Sequence, residues 1–177
     1  RPPDLLKFIA LKQSGQPYDD RAYQQCLADG VAQIVSAQAR AGVDVVSDGE
    51  FGKAISWSQY ALERLSGFER RTIKDGANPF ARGADRSRFP EFYAEMDAKD
   101  GIATTREAVC VAPIAYIGQA ELQRDIDNFR KALKATNVAE AFLPVAAPSS
   151  VIPDRRNEYY ASDDACLEAI GKAMRTE

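Results

Sequence analysis

The sequence predicts an α/β fold, about half of a (β/α)8 TIM-type barrel. Three observations predict it. Helical and strand patterns alternate along the chain, which favours a parallel sheet with crossover helices. The strand candidates are short and apolar, as strands covered on both faces are. Only three of them are visible in 177 residues, where a complete barrel takes about 250. The expected organisation is one barrel domain over 1–177, with a first strand before Arg1 and later strands after Glu177.

Pro2 to Gly15 reads as the first helix. Pro3 suits the first turn, Leu5, Leu6, Phe8 and Ile9 give an apolar face, and Gly15 and Pro17 end it. Asp19 and Asp20 open a longer helix to about Ala41. Tyr23, Leu27, Val31, Ile34, Val35 and Gln38 recur mostly at three- and four-residue steps, and Gly42 fits the C-terminal cap. Val43-Asp44-Val45-Val46-Ser47 is a β-branched run between Gly42 and Gly49, hence a buried strand. Ser56 to Leu65 turns helical, with Trp57, Tyr60, Ala61 and Leu65 on one side.

Residues 67–106 break the rhythm with Gly76, Pro79, Gly83 and Pro90. Charges cluster from Arg82 to Arg88, and Phe68, Phe80, Phe89, Phe92 and Tyr93 are interleaved. The stretch is too long for a plain connection and too aromatic for a disordered linker. It reads as an elaborated loop or hairpin over one end of the domain. Ala108 to Pro113 is the second strand. Glu121 to Ala135 is a helix with the stripe Leu122, Ile126, Phe129 and Leu133. Glu140 to Ala146 is the third strand, and Ser162 caps a last helix to about Arg175. There is no internal repeat.

Composition removes several functions. The net charge of −3 argues against a general nucleic-acid binder. No apolar run approaches the roughly 20 residues that cross a bilayer. The chain has no histidine, so these residues cannot build a Ser-His-Asp triad, a Cys-His pair or a His-bearing zinc site. Cys26, Cys110 and Cys166 are odd in number and far apart, which fits a reducing cytoplasm and no disulfide framework. The opening Arg1-Pro2-Pro3-Asp4 lacks Met and a signal-peptide pattern, which fits a start inside a longer polypeptide.

In a barrel, functional groups sit where strands end and loops begin. Asp48, Gly49 and Glu50 hold that position after the first strand. They read either as a helix cap or as an acidic cradle for a cationic amine. Trp57 and Tyr60, one helical turn apart, suit either a core face or a platform for a flat ligand. Ala112-Pro113 and Pro148-Ser149-Ser150 end the next two strands, as plain turns or as a pocket floor. Arg82 to Arg88 is either a solvated loop or a contact for an anionic substrate tail. Cys110, inside a strand, reads as a buried, inert thiol.

One family joins these pieces. Val43-Asp44-Val45-Val46-Ser47-Asp48-Gly49-Glu50-Phe51-Gly52-Lys53, with Trp57, Tyr60 and Leu65-Ser66-Gly67-Phe68, resembles the second-strand block of cobalamin-independent methionine synthase-like proteins. Arg1-Pro2-Pro3, Arg88 to Tyr93, Ala112 to Gly118, and Pro148-Ser149-Ser150 with Asn157-Glu158-Tyr159-Tyr160 resemble further blocks in order, Arg88 to Tyr93 that of the short single-domain members. Ala112 to Gly118 matches the third-strand block.

The resemblance implies a TIM-type barrel that moves a methyl or alkyl group to a thiol, as in methionine biosynthesis. In the family a zinc ion binds homocysteine and favours its thiolate, which attacks a methyl group on a folate nitrogen. The family's glutamate at the Asp-Gly-Glu position contacts the substrate's amino group. Carried over, that residue is Glu50, with Asp48 beside it; Trp57, Tyr60 and Ser149 complete the candidate substrate contacts, and the catalytic residues are unassigned. The family's zinc ligands are His, Cys and a carboxylate on later strands, so zinc is expected to be held outside these residues. The expected partners are a small-molecule thiol and a methyl donor such as 5-methyltetrahydrofolate. A non-folate donor, or a half-barrel that only binds, are the alternatives.

Overall fold

Pro3 starts the first helix without a backbone amide donor where none is needed, and Gly15 closes it with φ +67°. The computed structural model describes residues 1–53, 57–72, 84–100, 106–151 and 155–177. In chain order the elements are α1 (Pro3–Ser14), α2 (Asp20–Arg40), β1 (Val45–Ser47), α3 (Trp57–Glu63), β2 (Phe68–Thr72), α4 (Ala84–Arg88), α5 (Pro90–Asp100), β3 (Arg106–Cys110), α6 (Gln119–Lys134), β4 (Glu140–Phe142), β5 (Arg155–Asn157) and α7 (Asp163–Met174). A 3-10 turn, Pro148–Ser150, precedes β5. No helix among the described residues is long and apolar enough to cross a membrane.

The elements fall into two compact units. The first comprises Arg1–Tyr60, Gly118–Ala146 and Glu177; the second comprises Ala61–Ile117 and Ala147–Thr176.

In the first unit, Asp19 caps α2 by accepting from the Ala22 amide at 3.0 Å. At the other end the Val43 amide donates to the Gln38 carbonyl at 3.0 Å, with Gly42 at φ +83° just beyond the cap. α2 packs against α1, α6 and β1. The stripe read from its periodicity supplies the core: Tyr23, Leu27, Val31 and Val35 are buried with Leu5, Ile9, Val46 and Phe129. Leu5, Leu27, Val35 and Val46 are fully buried, each contributing about 1.5–3 kcal/mol. β1 pairs in parallel with β4, Val46 opposite Ala141. Valine and phenylalanine still face outward here: Val45 is 44% and Phe142 53% exposed.

One polar member of the α2 stripe has a different task. The Gln38 side chain donates from Nε2 to the Ser47 carbonyl at 2.8 Å and accepts from the Ser47 amide at 3.1 Å. Both backbone groups of the last β1 residue are thus satisfied by a carboxamide.

In the second unit, β3 is the centre of a three-stranded sheet. It runs antiparallel to β2 and parallel to β5. Val109 and Cys110 are fully buried. Ser162 caps α7 through the Ala165 amide at 3.1 Å, and Cys166 and Ile170 form its buried side. Gly67, at φ +89°, lets β2 approach the chain after β3: a Cβ there would lie 2.6 Å from the Ala112 carbonyl oxygen.

The α/β class stands, with helices predominating and two small sheets. The single parallel sheet read from the sequence does not stand. The strands near 43–47 and 140–146 pair directly, whereas the one read at 108–113 lies at Arg106–Cys110 in the other sheet, beside an antiparallel partner. Residues 61–117 of the second unit fall between β1 and α6 in sequence. In the stretch 67–106 the described residues form β2, α4, α5 and the first residue of β3. Residues 73–83 and 101–105, including Arg82 of the basic run, lie outside the described residues.

Candidate functional site

The candidate site lies at the C-terminal end of β1. The chain leaves the strand through two successive left-handed residues, Gly49 at φ +70° and Glu50 at φ +58°. Glycine adopts this conformation freely; for Glu50 it costs about 1–2 kcal/mol. Three bonds within the segment hold it. The Glu50 amide donates to Asp48 Oδ1 at 3.0 Å, the Gly49 amide to Ser47 Oγ at 3.4 Å, and the Lys53 amide to the Glu50 carbonyl at 3.2 Å. Phe51 turns into the core and anchors the segment.

The two carboxylates differ in surroundings. Asp48 is 1% exposed, and burial raises its pKa above the ordinary carboxylate value; the Glu50 amide and the Lys53 charge pull the other way, while Asp125 and Glu50 add to the rise. Glu50 is half-buried. Lys53 is buried, with its Nζ 5.0 Å from the centre of the Tyr60 ring. Tyr60 is also buried, and its hydroxyl donates to the Glu177 carboxylate.

Two arginines hold the segment from outside. Arg124 of α6 donates from Nη2 to the Gly52 carbonyl at 3.2 Å. Its guanidinium also meets Asp125 Oδ1, at 3.2 Å from Nε and 2.9 Å from Nη2. Arg1 donates from Nη2 to the Glu50 carbonyl at 2.8 Å and to the Lys53 carbonyl at 3.2 Å. Asp125 is buried and lies against the α-carbon of Gly52.

The structure therefore brings Asp48, Glu50 and Tyr60 into one unit, with Lys53 beside Tyr60. Trp57 opens α3, and its side chain lies outside the described residues. Ser149 is exposed in the 3-10 turn of the second unit. Sequence reasoning missed Lys53, Arg124 and Asp125. Asp125 left a signal: it falls three residues after Leu122 and four before Phe129, a carboxylate on an otherwise apolar stripe.

The described residues do not fit a zinc ion. No three His, Cys, Asp or Glu side chains among them gather in a way that could hold a metal. Cys110 and Cys166 are buried in the second unit. Burial raises both thiols, Cys166 to about 11, which disfavours the thiolate a metal needs.

An acidic strand-end site on an α/β scaffold defines the class to compare. No protein-family model matches the chain. Over 178 aligned residues, covering all of this chain, it is 22% identical to a methionine synthase of Thermococcus kodakarensis and spans 44% of that protein. Its fold is similar to that of a B12-independent methionine synthase from Shewanella sp. W3-18-1, solved in complex with selenomethionine. The TM-score is 0.60 at 16% identity, over 90% of this chain and 39% of that one. The resemblance read from the sequence thus holds, in sequence to a methionine synthase and in fold to a B12-independent one. The chain spans less than half the length of either relative.

Proposed function

We propose that this chain supplies the amino-acid-binding part of a thiol methyltransferase of methionine biosynthesis. The observation that carries this reading is Glu50: a half-buried acidic residue at a strand end, held in a costly backbone conformation by a segment bonded on both sides. Strain that the surroundings maintain is a reason to look for a function. A carboxylate so placed attracts an ammonium group by about 4 kcal/mol at 4 Å before desolvation, taking an effective dielectric near 20.

Glu50 is the better candidate of the two carboxylates. Asp48 is buried and already accepts the Glu50 amide, so it shapes the turn. Tyr60 stacks under Lys53 and supports the site from within the core. The roles of Trp57 and Ser149 as substrate contacts rest on the sequence resemblance. The proposed acceptor is homocysteine or a related amino thiol, and the proposed donor is 5-methyltetrahydrofolate or a related methyl donor. Zinc would come with ligands outside these residues. The parallel pair β1 and β4, with α6 between them in sequence, supports reading the first unit as part of a (β/α)8 barrel.

The test is calorimetric titration of the intact chain with L-homocysteine and with 4-mercaptobutyrate, which lacks the amine. Wild type should prefer homocysteine. Glu50→Gln should weaken homocysteine about 10- to 100-fold, the worth of a charge-assisted hydrogen bond, and leave mercaptobutyrate unchanged. Equal homocysteine affinity in wild type and Glu50→Gln would remove the ammonium role.

A further inference from the structure

We propose that Arg124 is a positioning residue for Glu50, acting through the Gly52 carbonyl; the proposal rests on the ammonium-binding reading of Glu50. The internal bonds of the turn are local and link residues two or three apart. Bonds of that kind do not determine where the turn stands relative to the rest of the unit. That placement comes from residues distant in sequence.

Arg124 is 72 residues from Gly52 and Arg1 is 49 from Glu50. Together their guanidinium groups occupy the carbonyls of Glu50, Gly52 and Lys53. Arg124 is the better fixed of the two. Asp125 is buried and bonds its guanidinium at two nitrogens, so the donor is aimed before the turn arrives. The same Asp125 presses on the α-carbon of Gly52, where a Cβ would meet its carboxylate. α6 therefore grips one peptide of the turn at two points, by a donor on its carbonyl and a carboxylate against its α-carbon. Gly52 follows Glu50 by two residues, so a shift of this peptide is passed to Glu50 through Phe51. A binding group must be held within about 0.5 Å of its productive place, and a displacement of about 1 Å can cost up to about 100-fold.

A residue that merely stabilises the fold would affect every ligand alike. A positioning residue for Glu50 affects only ligands that carry an amine. Titration of Arg124→Gln should show about tenfold weaker homocysteine and unchanged mercaptobutyrate. In a Glu50→Gln background, Arg124→Gln should cause no further loss. Arg124→Lys, which keeps the charge and one donor, should recover part of the homocysteine affinity. If Arg124→Gln does not fold, Arg124→Lys carries the same comparison with a smaller loss confined to homocysteine. Equal losses for both ligands, or losses that add in the double variant, would overturn the positioning role and leave the Glu50 reading intact. A wild-type chain that binds both ligands equally would overturn the Glu50 reading, and this proposal with it.

Discussion

Gly52→Ala tests the contact between the turn and α6 directly. Gly52 is not among the glycines with positive φ, so alanine meets no backbone penalty there. The whole effect comes from one methyl group. Built on Gly52, it would lie 2.7 Å from Asp125 Cγ and closer still to Oδ1. Carbon atoms rest at about 3.5–4.0 Å, so Asp125 has to withdraw by about 1 Å. It is buried, and withdrawal breaks its bonds to Arg124 at 2.9 and 3.2 Å. Overpacking of this kind costs about 1–3 kcal/mol, and the weakened ion pair adds about 1 kcal/mol, since Arg124 is partly exposed and regains water. The expected loss is about 3 kcal/mol. With a urea dependence near 2 kcal/mol per M, the midpoint falls by about 1.5 M. Circular dichroism of urea unfolding measures it in four chains: wild type, Gly52→Ala, Asp125→Ala and the double variant. In the Asp125→Ala background the methyl group has room, and its cost should drop below about 1 kcal/mol. The same loss in both backgrounds would refute the reasoning.

Two further outcomes follow from the buried groups. Burial raises the Asp48 pKa, so the folded state holds its proton at pH values where the unfolded state has released it. Asp48 therefore weighs against folding as pH rises above the ordinary value of 3.8, and has no such effect below it. Asp48→Asn keeps the oxygen that accepts the Glu50 amide and does not titrate. Its stability relative to wild type should climb as pH rises above 3.8 in urea titrations; a constant difference would contradict the burial argument. Limited maleimide labelling near pH 7.5 should modify Cys26, half-buried beside the α1–α2 groove, well before the buried Cys110 and Cys166. Peptide mapping that finds either buried thiol labelled as fast would contradict their placement.

Five helices were legible because their signals are local; α4 and α5 were not, since the stretch 67–106 that holds them reads as an elaborated loop or hairpin. Asp19, Gly42 and Ser162 mark ends, and the α2 stripe marks a buried face; of the α6 stripe only Phe129 is buried, with Asp125 and Ala132 beside it. The strands of the first sheet were legible as strands for the same reason, being β-branched or apolar between breaks. Their partners were not. Val46 and Ala141 are far apart in the chain, and nothing in either run names the other. β2, Phe68-Glu69-Arg70-Arg71-Thr72, and β5, Arg155-Arg156-Asn157, are charged and lack apolar alternation, so they read as loop. The Asp48-Gly49-Glu50 turn was visible from its place after a strand. The side chains that clamp it were not, because Arg124 reaches it only through tertiary packing.

The Gln38 carboxamide also occupies one rung of the β1 margin. An exposed strand margin is an invitation to stack copy upon copy, the route to fibrils. Here the final rung of β1 is already plugged by an amide that mimics a peptide bond on both its donor and acceptor sides. Any newcomer must stop short at Val45 or evict the glutamine. The margin therefore limits its own growth.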